Sequence, residues 1–165
     1  MGVTINFNCM SCAELAKMDF TEEREQVQCM SRQVLSQLPL CQSPIEELFL
    51  RAIAEEIVGL NPKCQHVQVL ATIRSQFPVS EWHVDFAIPS LKIAIECEGH
   101  AWHSSKCQHT HDCIRQRGIV QAGWYVIRFS GAEIVYYPWD CVFDLKVLIH
   151  THLALGSYAH VPTTQ

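Results

Sequence analysis

The sequence predicts an α/β domain in which helices pack on a sheet, and three observations carry that expectation. Ser43-Pro44-Ile45-Glu46 is a capping box with proline at the first helical position, and an apolar stripe follows it. Between residues 66 and 97 the apolar spacing drops from the helical period to a period of two. Beyond residue 110 a helical stretch closes at Gly123 and runs directly into another apolar strand.

Taken in order, residues 21–38 predict a helix. Thr21 caps it, Glu22 and Glu23 suit its positive end, Pro39 stops it, and Val27, Met30, Val34 and Leu38 recur at helical spacing. The second helix starts at Ser43 and ends near Gly59, with Ile45, Leu48, Phe49, Ala52, Ile53 and Ile57 on one face. At 100° per residue Glu46 lies on the edge of that stripe and can reach a sheet beneath the helix, whereas Glu47 points away. Strands are expected over 66–74, 82–88, 91–97 and 124–129, a third helix over 110–122 and a last helix over 139–155. Residues 1–40 read as an N-terminal extension with one helix, 41–155 as the main domain and 156–165 as a frayed tail. Two roles fit the N-terminal helix, a homodimer contact or a binding arm.

Composition narrows the class. A chain of 165 residues suits one full core, and 48% hydrophobic with 18% charged residues excludes a disordered chain. No apolar run approaches the roughly 20 residues of a membrane helix, and the first ten residues lack a basic segment leading into an apolar one, so no secretory signal is expected. Nine cysteines without regular spacing read as reduced thiols in a cytoplasmic setting. A net charge of −5 argues against non-specific coating of nucleic acid, yet allows a site lined by carboxylates.

The hairpin 82–97 concentrates the chemistry. Val84, Phe86 and Ile88 alternate with His83, Asp85 and Ala87, while Leu91, Ile93, Ile95 and Cys97 alternate with Lys92, Ala94 and Glu96. Adjacent strands share their apolar side, so Asp85, Glu96 and, by continuation, Glu98 project together. With Pro89-Ser90 as a two-residue loop, Asp85 pairs with Ala94 and lies diagonal to Glu96. Polar residues on the solvated face of a hairpin are ordinary. Asp and Glu are nevertheless poor strand formers, and three of them together invite a hard divalent cation such as Mg²⁺.

The run HVDFAIPSLKIAIECEGHAWH, followed by DCIRQRGIVQAGWYVIRFSGAEI, resembles the restriction-endonuclease-like PD-(D/E)XK superfamily. Within it the chain looks most like the branch of very-short-patch-repair (Vsr) mismatch nickases and small Vsr-like domains, over residues 43–133. That resemblance implies a three-layer α-β-α fold around a mixed sheet of about four to five strands, and Mg²⁺- or Mn²⁺-dependent hydrolysis of DNA. By resemblance, Asp85, Glu96 and the carbonyl of Cys97 are metal ligands. Glu46 matches an acidic residue that assists the metal or the attacking water, and it equally closes a capping box. His103 matches a proton-transferring histidine, and Asp112 the last acid of the Vsr-like pattern or a helix N-terminal charge.

Two departures from the pattern stand out. Glu98 occupies the position of the usual lysine, for which Lys92, Lys106 or His103 are substitutes. The structural zinc site of the Vsr enzymes is matched only by His100 and Cys107, with His109 and Cys113 as further zinc-ligand types nearby. Arg115, one turn after Asp112, together with Lys92 and Lys106, is a candidate DNA-phosphate contact, and Arg117 and Arg128 are further basic candidates. The expected activity is endonucleolytic nicking or cutting of DNA. A catalytically inactive binding module for DNA or protein, or an RNA-directed nuclease, shares the same fold.

Overall fold

A computed structural model of the chain describes residues 21–99 and 106–158. Helix α1 (Thr21–Leu35) stops before residue 38, because Leu38–Leu40 tighten into a 3-10 turn that contains Pro39. The buried Gln37 side chain donates to the Ile73 carbonyl (2.6 Å) and accepts from the Ser75 amide (2.7 Å), tying that turn to the sheet. Helix α2 (Pro44–Val58) is capped by Ser43 and buries Phe49, Leu50, Ile53 and Ile57. The strand expected over 66–74 is instead a short helix, α3 (Gln65–Leu70). The β-branched Val67 and Val69 suggested a strand, but Val67 and Leu70 bury one turn apart on one face, and that packing overrides local propensity.

The sheet consists of β1 (Arg74–Val79), β2 (Trp82–Ile88), β3 (Ile93–Glu98) and β4 (Tyr125–Ser130), in that spatial order. The first two pairings are antiparallel. The β3–β4 pairing is parallel and is crossed by α4 (Lys106–Gln121), which begins before the expected residue 110. Edge strand β1 tolerates Pro78, whose missing amide is harmless there. Ser130 and Glu133 form a reciprocal capping box that opens α5 (Gly131–Tyr136), and α6 (Pro138–Tyr158) completes the chain.

Two buried clusters define three layers. Phe86, Ile88, Ile93, Ile95 and Phe129 pack against Phe49 and Ile53 of α2, Ile134 of α5, and Leu145 and Ile149 of α6. On the opposite face Val79, Val84, Ala87 and Ala94 pack with Ile119 of α4, beside Trp82 and Trp124. This four-stranded mixed sheet between helical layers is the restriction-endonuclease-like α/β architecture the resemblance implies. Among the described residues no helix is long and apolar enough to cross a membrane.

The hairpin differs from its expected form in three ways. A 3-10 turn at Pro89–Leu91 and a left-handed Lys92 (φ 51°) replace the two-residue loop, so β3 begins at Ile93. Ala94 consequently pairs with Ala87 rather than Asp85, and continuing the register sets Asp85 opposite Glu96. Val84 joins the α4-side cluster instead of sharing a face with Phe86 and Ile88. The cause lies in β1. Gln76 takes a left-handed conformation (φ 49°), and the β1–β2 register passes from Ser75↔Phe86 to Phe77↔Val84 without a Gln76–Asp85 pair. Alternation shifts phase at Asp85.

Gly118 governs how closely α4 approaches the sheet. A Cβ there would lie 2.5 Å from Trp82 Nε1, so only glycine lets the helix seat on β2. Gly118→Ala is therefore expected to lower stability by roughly 1–3 kcal/mol, although alanine is the better helix former. Chemical denaturation measures it. At the α3–α6 contact the rings of His66 and His150 lie 4.3 Å apart, with Lys146 close by and itself bonded to Glu56. Burial, then His150 and Lys146, hold His66 below its ordinary pKa. The unfolded chain therefore takes up that proton first, and stability present above about pH 6.5 is lost as the pH falls from there through the lower folded value. His66→Gln is expected to flatten that slope in thermal melts between pH 5 and 8 (approximate bounds around the ordinary histidine pKa).

Candidate active site

Strand β3 is buried from Ile93 through Glu96, so the carboxylate of Glu96 lies inside the fold. It follows Ala94 by two residues and faces α4, where Arg115 meets it. Arg115 Nη1 donates to Oε1 and Nη2 to Oε2, both at 2.9 Å, a bidentate pair. Arg115 Nη1 also donates to the His83 carbonyl at 3.2 Å. Four residues after Arg115, Ile119 is buried against the sheet, so the two share the inner face of the helix.

Asp85 stands where the sheet opens. The β2–β3 register runs only from Ile88↔Ile93 to Phe86↔Ile95, and beyond it Asp85 Oδ2 accepts from the Cys97 amide at 2.7 Å. A side chain thus takes over an amide that a regular ladder would give to backbone. Burial raises the Asp85 pKa above its ordinary value against the opposing Cys97 hydrogen bond. Glu46 raises it further, while Arg115 and Arg128 pull it down. Burial likewise raises Glu96, with the Arg115 bonds opposing and Asp85 adding repulsion.

Glu46 is buried at the start of α2, as its place on the helix edge predicts. Its Oε2 accepts from the Gln42 amide (2.9 Å) and from Gln76 Nε2 (3.0 Å), and its Oε1 from Ser43 Oγ (2.7 Å). The carboxylate closes the helix start and holds the left-handed Gln76 that interrupts β1. Its repulsion is felt at Asp85 from the face opposite α4.

The remaining expected residues divide sharply. Glu98 is exposed and pairs with Arg128 Nη1 at 2.9 Å, so its charge is met by an arginine across the β3–β4 pair rather than directed at Asp85. Asp112 sits on α4 one turn before Arg115 and acts on its charge. Lys92 is at the other end of β3, beside Gly123, roughly 13 Å of strand from Glu96, and cannot take the missing lysine's place there. Arg117 is exposed on α4. His100 and His103 lie outside the described residues, as do the side chains of Lys106, Cys107 and His109. Among the described residues no zinc site is supported. The thiols of Cys41 and Cys141 are pushed up to about 11 by burial, and burial also raises Cys97, so these three are inert core groups.

Three features escaped the sequence reading. Arg115 was expected at phosphate and is found on Glu96; its spacing from Ile119 was the available signal. The Ser130-x-x-Glu133 box was legible and marks α5. The role of Gln76 had no signal, since nothing in its type announces positive φ.

Among the described residues no three His, Cys, Asp or Glu side chains converge closely enough to hold a metal by themselves. Asp85, Glu96 and the Cys97 carbonyl are hard oxygen donors; Asp85 is half-buried, Glu96 is buried, and Asp85 repels it. That set would suit a small divalent ion that keeps several of its waters.

Residues 67–148 match the family model REase_MTES_1575, a restriction-endonuclease-like family, which supports the PD-(D/E)XK superfamily and suggests a nuclease. Folds of this class generally use Mg²⁺ or Mn²⁺. No curated protein and no solved structure gave a match. The matched segment contains Asp85, Glu96, Asp112 and Arg115, and Glu46 precedes it.

Because its folded pKa is raised, Asp85 binds a proton more tightly in the folded state, and stability falls as the pH rises from 3.8 through the folded value. Asp85→Asn keeps an acceptor for the Cys97 amide and removes the half-buried charge. The variant is expected to melt a few degrees higher than wild type at pH 7. A lower melting point would contradict this electrostatic reading of the site.

Proposed function

We propose that the chain is a metal-dependent DNA endonuclease that hydrolyses phosphodiester bonds where β2 parts from β3. The observation that carries this reading is the juxtaposition of the half-buried Asp85 and the buried Glu96 at an interrupted ladder within the segment matching a restriction-endonuclease-like family. Asp85, Glu96 and the Cys97 carbonyl are the residues that would hold Mg²⁺ or Mn²⁺. When bound, such an ion polarises the phosphoryl oxygen and lowers the pKa of its water.

The chain's own groups have distinct tasks in this reading. The Cys97 amide fixes one Asp85 oxygen, so the orientation of that carboxylate is set before substrate arrives. Glu46 has all three of its hydrogen bonds within the protein, and its task is to set Gln76 and the opening of the sheet. Arg115 and Arg128 supply positive charge toward a phosphate, with Asp112 behind Arg115. His103, in the Vsr-like position, is assigned proton transfer.

One observation favours a second reading. The bidentate Arg115 already neutralises Glu96, as in a catalytically silent module of this fold that binds DNA or protein. Supercoiled plasmid separates the two readings. The endonuclease is expected to nick or cut it with Mg²⁺ or Mn²⁺, and Asp85→Ala to lose at least about a hundredfold of that rate. Equal activity in the variant, or an inert wild type on duplex, mismatched, branched and single-stranded DNA, would sink the proposal. Cleavage of RNA alone would redirect it.

A further inference from the structure

We infer that Arg115 is a built-in counter-ion that competes with the divalent cation for Glu96, so that metal binding and phosphate binding depend on each other. The inference rests on the metal-site reading above and extends it to regulation of the same site. Both Glu96 oxygens carry an Arg115 N–H at 2.9 Å, and Glu96 is only 4% exposed. An ion on either oxygen would sit beside the guanidinium in a poorly solvated place, where like charges repel strongly. Full occupancy of the metal site therefore requires Arg115 to move off.

The surroundings of Arg115 let it do so. Its side chain is 26% exposed, it is anchored on α4 rather than on the sheet, and among the described residues its other hydrogen bond goes to one backbone carbonyl, that of His83, at 3.2 Å. Asp112, one turn earlier on the same helix, attracts the released charge toward the open side of the site. A substrate phosphate offers a guanidinium the same two-oxygen face that Glu96 does. Phosphate on Arg115 vacates Glu96 for the ion, and the ion on Glu96 expels Arg115 toward phosphate. The coupling is reciprocal, as linkage requires. Arg128 stays on Glu98 and keeps the pair of acids from being left without any positive neighbour.

Arg115 is thus a positioning residue, and Mn²⁺ binding followed by calorimetry and by electron paramagnetic resonance tests it without reference to turnover. Arg115→Gln is expected to bind Mn²⁺ about tenfold or more tightly than wild type in the absence of DNA. A phosphorothioate duplex is expected to tighten Mn²⁺ binding in wild type and to have little effect in the variant. A purely structural arginine would give the opposite sign, since its loss would loosen the site. Should Arg115→Gln fail to fold because Glu96 is left unpaired, Arg115→Lys, which keeps the charge but loses the two-pronged contact, must show the same direction with a smaller gain. Equal or weaker Mn²⁺ binding in the folded variant, with binding still abolished by Asp85→Asn, overturns the competition and leaves the metal site standing. Mn²⁺ binding that survives Asp85→Asn overturns the metal-site reading itself.

Discussion

A carboxylate at the end of a strand buried on both faces has to be neutralised from within the fold, and Glu96 imposes that constraint on the rest of the structure. Its partner must come from the one helix that covers its face, so α4 has to seat close to the sheet and in one rotational setting. Gly118 permits the approach and Ile119 fixes the rotation. Arg115 then arrives with both prongs on Glu96. The parallel β3–β4 pairing that α4 bridges is in turn what places Arg128 beside Glu98.

The second organising feature is a controlled break in the sheet. On one side of Asp85 the left-handed Gln76 removes a β1–β2 pair, and on the other the Asp85 carboxylate takes the Cys97 amide. Glu46 holds Gln76 in place through its own hydrogen bond, so a residue outside the family match sets the geometry inside it. Interrupted ladders cost hydrogen bonds and buried acids cost desolvation. Both costs fall at one point, as expected where local structure serves a site rather than stability.

Much of this was legible in the sequence. The α2 cap, the bounds of β2 and the helix-to-strand passage at Gly123 follow from local chemistry, because proline, glycine and capping side chains act within a few residues. The shared α4-side placement of Glu96 and Ala94 follows from the period of the strand. What was not legible depends on tertiary context. α3 looks like a strand until Val67 and Leu70 meet α6, and the Lys92 turn has no glycine to announce it. The two-residue shift from Ala94 to Glu96 opposite Asp85 follows from that turn. Arg115 illustrates the middle case. Its position on the inner face could be inferred from Ile119, but its bond to Glu96 required knowing how closely α4 approaches the sheet.

In the proposed function Asp85 and Glu96 together hold a divalent ion that acts on a DNA phosphate. Crystals of the protein with a duplex oligonucleotide, soaked in Mn²⁺ and measured near the manganese absorption edge, test it most directly. The expected result is an anomalous peak about 2.0–2.2 Å from oxygens of both Asp85 and Glu96, with the Arg115 guanidinium turned from Glu96 onto a backbone phosphate. A map without a peak between those two carboxylates, or with Arg115 still bidentate on Glu96 beside bound DNA, would contradict it.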